Sequence, residues 1–106
     1  MKTTDIPIDF ELMRGKAIQA SDFLKTLANP DRLLLLCQLS QSEMCVSDLE
    51  KTVAIKQPTL SQQLSILRAE NLVKTRRDGK QIYYSIASQE VLSILQLLYE
   101  QFCKES

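Results

Sequence analysis

The chain has 106 residues, enough for one domain with a small hydrophobic core. Hydrophobic residues make up 44% of it and charged residues 25%, an ordinary globular composition that excludes a disordered chain. The net charge is zero and His is absent, so the commonest transition-metal ligand and the usual general base are both missing.

The N-terminal part predicts a tail and two helices. Residues 1–8 are expected to form a flexible tail, and apolar residues spaced by three or four indicate a first helix over 10–27. The Asn-Pro pair at 29–30 ends that helix, and its proline fits the first turn of the next one. The second helix is apolar on almost every side over 33–39, so we expect it to be buried, with Cys37 in apolar surroundings.

Residues 47–70 predict a helix–turn–helix unit. Ser47 and Glu50 have the spacing of a capping box, which begins the first helix. A three-residue turn over 54–56 follows, and Pro58 fits the first turn of the second helix. This arrangement is typical of proteins that place the second helix in the major groove of DNA.

The second helix of this unit has an apolar face and a polar face. Leu60, Leu64 and Leu67 are its core positions at about 100° per residue. The candidate base-reading residues are Gln57, Thr59, Ser61, Gln62, Gln63 and Ser65. Glutamine can bond N6 and N7 of adenine, and the short hydroxyl side chains let a helix lie close to the bases.

Residues 72–86 predict a β-hairpin with a basic tip, the wing of a winged helix. The Asp78-Gly79 dipeptide favours a tight turn between two strands. Between positions 51 and 80 the chain carries seven basic residues against two acidic ones, a local positive charge suited to phosphates. The candidate phosphate-binding residues are Lys56, Arg68, Arg76, Arg77 and Lys80.

A last helix is predicted over 89–103, with Ser88 as its cap. It is apolar around most of its circumference, more than one small chain can bury, which indicates a partner surface. The predicted order is α1-α2-α3-α4-β1-β2-α5, a mostly helical winged helix–turn–helix fold in which residues 1–106 form a single domain.

The sequence contains no apolar run near the roughly 18 residues of a membrane span, and no signal peptide is visible. We therefore expect a cytoplasmic protein that does not contact a membrane. In such a reducing compartment its three cysteines are expected to be free thiols, metal ligands or redox groups rather than a structural framework.

Three segments of the chain resemble the ArsR/SmtB family of bacterial repressors. They are LKTLANPDRLLLLCQL (24–39), VSDLEKTVAIKQPTLSQQLSILRAENLV (46–73) and RRDGKQIYYSI (76–86). The resemblance implies a homodimer paired through the first and last helices. It also implies a repressor that binds an inverted-repeat operator in double-stranded DNA and leaves it when an inducer binds.

Two metal sites known in the family are incomplete in this sequence. Its arsenic, lead and cadmium sensors carry a motif like ELCVCDL, which matches EMCVSDL at 43–49. Cys45 takes the place of the first cysteine and Ser47 replaces the second, so one thiolate is left where soft metals need two or three. The zinc, nickel and cobalt site of the last helix uses His, which this chain lacks. We therefore expect neither a bound metal nor a cofactor.

Cys37 and Cys103 are similar in position to the cysteine pair of the family's sulfide- and redox-responsive branch, the biofilm-growth-associated and haemolysin-activating regulators. The resemblance implies that reactive sulfur species or an oxidant joins them in an intramolecular disulfide or polysulfide bridge and releases the DNA. Cys45 is expected to be structural or auxiliary.

Three other functions are consistent with parts of the sequence. A repressor responding to As(III) or Cd(II) would use the cysteines as ligands, and it would be released by arsenite rather than by polysulfide. A thiol oxidoreductase is disfavoured by the absence of a CxxC pair and of any His base. A winged helix that binds only proteins would give no gel shift with operator-like DNA.

Overall fold

The computed structural model describes residues 6–103 and shows a mostly helical winged-helix fold. The elements are α1 (Phe10–Leu27), α2 (Pro30–Gln41), β1 (Met44–Cys45), α3 (Val46–Val53), α4 (Thr59–Ala69), β2 (Val73–Asp78), β3 (Gln81–Ile86) and α5 (Gln89–Phe102). The predicted fold class is confirmed, and one strand that was not predicted, β1, is added. Of the predicted tail, residues 1–5 lie outside the described part of the chain.

The junction between α1 and α2 is built as the sequence predicts. The Asn29 side chain accepts a hydrogen bond from the backbone N–H of Arg32 at 3.0 Å, and Pro30 is the first residue of α2. The side chain thus satisfies one of the N–H groups that have no partner within the helix. Along α1 only Thr26 and Leu27 are buried, so this helix contacts the rest of the chain mainly at its C-terminal end.

The core is built around one side of α2. Its central members are fully buried leucines and one valine: Leu35, Leu36, Leu49, Leu60, Leu64, Leu67 and Val91. The expectation that α2 is buried all round is wrong, because Leu34 is 53% exposed and Cys37 is exposed as well. Helices α3, α4 and α5 and strand β3 all pack against α2, and α1 meets α2 mainly through its C-terminal end, yet Leu34 and Cys37 remain exposed.

The first helix of the helix–turn–helix begins earlier than its capping box predicts. Helix α3 starts at Val46, so Ser47 lies inside it. Cys45 holds the cap position, and its side chain makes no capping hydrogen bond to the backbone. Antiparallel pairing of Cys45 with Tyr83 keeps the chain extended up to the first helical residue. The turn is also longer than predicted, since residues 54–58 separate α3 from α4.

The wing belongs to a three-stranded antiparallel sheet of order β1-β3-β2. The pairing of Asp78 with Gln81 leaves Gly79 and Lys80 as the two-residue loop, one position later than the predicted dipeptide. Gly79 has a φ of 65°, the positive value that the first residue of such a hairpin loop requires. The short β1 fastens the wing to the segment that leads into α3.

Helix α5 begins after Ser88, whose hydroxyl accepts a hydrogen bond from the Val91 N–H at 3.2 Å. It ends one residue earlier than predicted, with Cys103 as its cap. Val91 and Leu95 face the core of their own chain, whereas Phe102 is 82% exposed. Within residues 6–103, no helix combines the length and the apolar character needed to cross a membrane.

Candidate nucleic-acid interface and cysteine pair

The outer face of α4 is polar and open to solvent. Ser61, Gln62 and Ser65 are exposed on it, and Leu60 and Leu64 lie buried on the opposite side. These three predicted base-reading side chains are therefore together on one accessible helix face. Each is short or flexible and carries hydrogen-bond donors and acceptors that can pair with those of base edges in a DNA groove.

The other three predicted base-reading residues are placed differently. The Gln57 side-chain oxygen accepts a hydrogen bond from the Ser61 N–H at 3.0 Å, a capping bond for the start of α4. Thr59 is half-buried. Gln63 is half-buried too, and its side-chain oxygen accepts from Nη1 of Arg32 at 2.9 Å. Both glutamine oxygens are thus engaged within the molecule.

Positive charge flanks the polar face of α4. Lys56 lies in the turn before the helix, and Arg68 is in its last turn. Arg77 at the end of β2 and Lys80 in the wing loop are likewise exposed. Lys56 and Arg68 thus stand near the two ends of α4, and the cations of the wing add further exposed positive charge, which suits contacts with phosphates.

Arg76, another predicted phosphate contact, is held by the protein itself. Its Nε and Nη2 donate to the two carboxylate oxygens of Glu43 at 2.8 and 2.7 Å. The guanidinium also lies 4.8 Å from the centre of the Tyr83 ring and 3.8 Å from an Asp78 oxygen. The hydrogen bond from Arg76 holds the pKa of the Glu43 carboxyl below its ordinary value, so the pair is charged at neutral pH.

Cys37 and Cys103 are both exposed free thiols. Cys37 borders a cavity of about 500 Å³ between α2 and α5, against the apolar side chains of Leu92, Leu95 and Tyr99. Partial desolvation there, and secondly the negative charge of a Cys103 thiolate, raise the pKa of the Cys37 thiol.

Cys45 has different surroundings. It is 4% exposed, and its sulfur lies 3.2 Å from the Ser47 hydroxyl oxygen, the group that replaces the second cysteine of the metal motif. Among residues 6–103, no group of three or more His, Cys, Asp or Glu side chains is placed to hold a metal ion. Cys45 is thus a buried thiol whose polar neighbour is a hydroxyl group.

Two residues at the interface were missed from the sequence. In the sequence, Glu43 stands out only as part of a metal-site motif, and Arg32 only as a residue of the second helix. Both act through contacts with residues more than thirty positions away, which spacing along one helix or strand does not reveal.

Comparison with known proteins gives consistent matches over nearly the whole chain. The family model described as "Bacterial regulatory protein, arsR family" matches residues 29–75. The chain is 45% identical over 96 residues to a biofilm growth-associated repressor from Agrobacterium fabrum, covering 91% of this chain and 82% of that protein.

Solved structures agree. The transcriptional repressor BigR from Xylella fastidiosa has a TM-score of 0.86 and 41% identity, covering 92% of this chain and all of that one. Reduced HlyU from Vibrio cholerae has a TM-score of 0.82 and 34% identity, covering 89% of this chain and 99% of that one.

Proposed function

Because this chain belongs to the ArsR family of bacterial regulatory proteins, we propose that it is a dimeric transcriptional repressor whose operator binding is switched by reactive sulfur or an oxidant. Regulators of this family bind DNA as homodimers and are not enzymes. Such a repressor needs a DNA-reading surface, a dimer surface and a switch.

The proposed reading surface is the exposed face of α4 with the cations beside it. Ser61, Gln62 and Ser65 contact base edges, with Gln57, Thr59 and Gln63 at the sides of the helix. Lys56, Arg68, Arg77 and Lys80 contact phosphates, and Arg76 joins them when it leaves Glu43. In support, the chain as a whole is neutral, yet its basic residues are gathered in this region.

The proposed dimer surface is formed by α1 and α5. Both helices expose large apolar side chains, including Ile18 at 80% and Phe102 at 82%. Such residues are rarely left in water when they lie together on helices that lack cover. A two-fold pair through these helices would present two copies of α4, which suits an operator with inverted repeats.

One observation supports the proposed switch above all others. Cys37 of α2 and Cys103 at the end of α5 are both accessible, and the pKa of Cys37 is raised first by partial desolvation and then by the charge of an ionised Cys103. A bond between them would join the helix at the centre of the core to the helix of the dimer surface. A small shift there would change the angle between the two α4 helices, and paired half-sites tolerate little such change.

The chemistry balances with either class of inducer. One cysteine thiolate attacks the outer sulfur of a persulfide, RSSH, and releases RSH, so the cysteine becomes a persulfide. The second thiolate then attacks the inner sulfur of that persulfide, the first cysteine's own Sγ, forms the disulfide and expels HS⁻. With hydrogen peroxide, the first thiolate becomes a sulfenic acid and the second thiol displaces water from it.

The test is a gel shift with operator DNA combined with intact-mass measurement. Polysulfide or peroxide treatment is expected to release the DNA, with a mass change corresponding to one crosslink within each chain. Arsenite is expected to leave the complex intact. Release by arsenite and retention after polysulfide would instead establish the metalloid- or heavy-metal-responsive repressor.

A further inference from the structure

The Arg32 side chain joins three separate parts of the fold. It stands in the first turn of α2, and its Nε and Nη2 donate to the backbone carbonyls of Thr26 and Lys25, the latter at 3.3 Å. Its Nη1 donates to the side-chain oxygen of Gln63 on α4 at 2.9 Å. One guanidinium therefore contacts the end of α1 and the middle of α4 from α2.

The contact with Thr26 satisfies a carbonyl at the end of α1 that has no helical partner, whereas the Lys25 carbonyl also accepts from the backbone N–H of Ala28 at 3.2 Å. The last carbonyls of a helix lack an N–H four residues ahead, and they form the negative end of its dipole. Arg32 supplies the missing donor to the Thr26 carbonyl, a second donor to the Lys25 carbonyl, and a positive charge at this end of the helix. Thr26 is itself 8% exposed, so the carbonyl end of α1 and Arg32 meet at a partly buried position.

The contact with α4 is specific in its geometry. Arginine has donors only, so the Gln63 group facing it must be the amide oxygen, and the amide nitrogen points elsewhere. Gln63 lies between the buried Leu60 and Leu64 face and the exposed Gln62 side. A bond at this position resists both rotation of α4 about its axis and sliding against α2.

We propose that Arg32 is a positioning residue for DNA reading, which fixes the orientation of α4 against α1 and α2 through Gln63. Lysine cannot replace it, because a single ammonium group cannot make the three contacts of a planar fork. Arg32 acts through Gln63 and makes no phosphate contact of its own. This inference rests on the proposed function, because it assumes that α4 reads operator DNA.

The three possible roles of Arg32 differ in what they change. Replacing a positioning residue lowers the affinity for the operator but leaves the affinity for unrelated DNA, and the salt dependence of that affinity, unchanged. Removing the charge of a phosphate contact lowers both affinities alike and reduces the salt slope by about one unit. Replacing a residue that serves only to end α1 lowers the resistance to unfolding by urea. The protein that remains folded keeps its preference for the operator.

The experiment measures the binding of the full chain to operator and unrelated duplexes over a range of salt concentrations, together with urea unfolding. Arg32→Lys keeps the charge and removes the planar fork, whereas Gln63→Leu removes the acceptor on α4 and with it any contact of Gln63 with DNA. Each is expected to reduce the ratio of operator to unrelated affinity about tenfold, since the bond has a charged donor. The double variant should lose no more than Gln63→Leu alone, because both substitutions break the same bond.

Additive losses in the double variant would overturn the proposal, as would an unchanged ratio in Arg32→Lys. A third variant, Arg32→Gln, removes the charge, and a salt slope reduced by about one unit in it would show a phosphate contact instead. Wild-type protein that binds no operator would reject the proposed function itself, an outcome distinct from any behaviour of the variants. If Arg32→Lys is too unstable to measure, Gln63→Glu keeps an oxygen acceptor for Arg32 without disturbing the end of α1, and it should retain the operator preference that Gln63→Leu loses. Loss of that preference in Gln63→Glu would overturn the proposal.

Discussion

Arg76 of β2 reaches across β3 to bond both carboxylate oxygens of Glu43, at 2.7 and 2.8 Å, just before β1 begins. The side chain therefore spans all three strands of the sheet and holds the wing to the segment that enters α3. The pKa of Glu43 lies below its ordinary value of 4.5. The ion pair between Arg76 and Glu43 is therefore present at neutral pH, and it is lost only as the pH falls below 4.5 and through the lowered pKa. At working pH this acid offsets one cation of the proposed DNA surface.

Replacing Glu43 should strengthen binding to any DNA. Glu43→Gln removes the negative charge and releases Arg76 for phosphate, so we expect tighter binding and a salt slope steeper by up to about one unit. Titrations of a single duplex at several salt concentrations measure both. In the matched control, Glu43→Gln with Arg76→Gln, the gain should disappear. An unchanged slope in the single variant would mean that Arg76 does not approach DNA.

Gln62 and Arg77 should differ in the kind of affinity they provide. Gln62→Ala is expected to relax sequence preference, at about 1–3 kcal/mol for the base it contacts. Arg77→Ala should weaken binding to all sequences alike and lower the salt slope by about one unit. Competition between operator and scrambled duplexes separates the two effects. Wild-type behaviour of both variants would move the reading surface away from α4 and the wing.

The switch should require both exposed cysteines and not the buried one. Cys37→Ser and Cys103→Ser should each bind operator and stay bound in polysulfide, because neither can form the crosslink. Cys45→Ser is the matched control, since Cys45 lies apart from the pair beside Ser47, and it should release DNA like wild type. Gel shifts before and after treatment test all three. Normal release by Cys37→Ser would refute a two-cysteine mechanism.

Alkylation of Cys37 should speed up with pH throughout the neutral range. The thiolate is the reactive form, and the pKa of Cys37 lies above its ordinary value of 9.0, so the rate should still be rising at pH 9.0. Mass spectrometry after timed iodoacetamide treatment provides the profile. In Cys103→Ser the profile should shift slightly to lower pH, because desolvation, the larger cause, remains while the charge of the Cys103 thiolate is gone. A plateau near neutral pH would contradict the assigned surroundings.

The dimer surface is tested at exposed apolar positions of α1 and α5. Ile18→Glu or Phe102→Glu would bury an unpaired carboxylate if these helices pair, at a cost of about 3–5 kcal/mol. Analytical ultracentrifugation should show monomers for these variants and a dimer for Ile18→Met. Leu95 is unsuitable for this test because it lies in the core of its own chain. A monomeric wild type would reject the dimer.

The sequence predicts the helices and the wing because their patterns are local. Leu60, Leu64 and Leu67 recur at helical spacing, and all three are buried as predicted. The capping box at Ser47 failed because the spacing says nothing about β1, which pairs with a strand nearly forty residues later. Strand β1 is two residues long, too short to produce an alternating pattern of its own.

The polar part of the candidate site was predicted less completely. Exposure of Ser61, Gln62 and Ser65 follows from their position opposite the leucines of α4. The inward bond of Gln63 depends on Arg32, and the neutralisation of Arg76 depends on Glu43, and both partners are set by the tertiary fold. The exposure of Cys37 also depends on which face of α2 its neighbours cover, whereas composition alone favoured burial.

Helix α1 is 18 residues long, yet its buried residues are confined to its last two, Thr26 and Leu27. At 1.5 Å per residue it is about 27 Å long, and a free helix of that size is only marginally stable in water. Two such helices covering each other in the proposed dimer would keep each other ordered, so that folding of α1 and assembly form a single equilibrium. Dilution would then unwind α1 while it separates the subunits, and melting would depend on protein concentration.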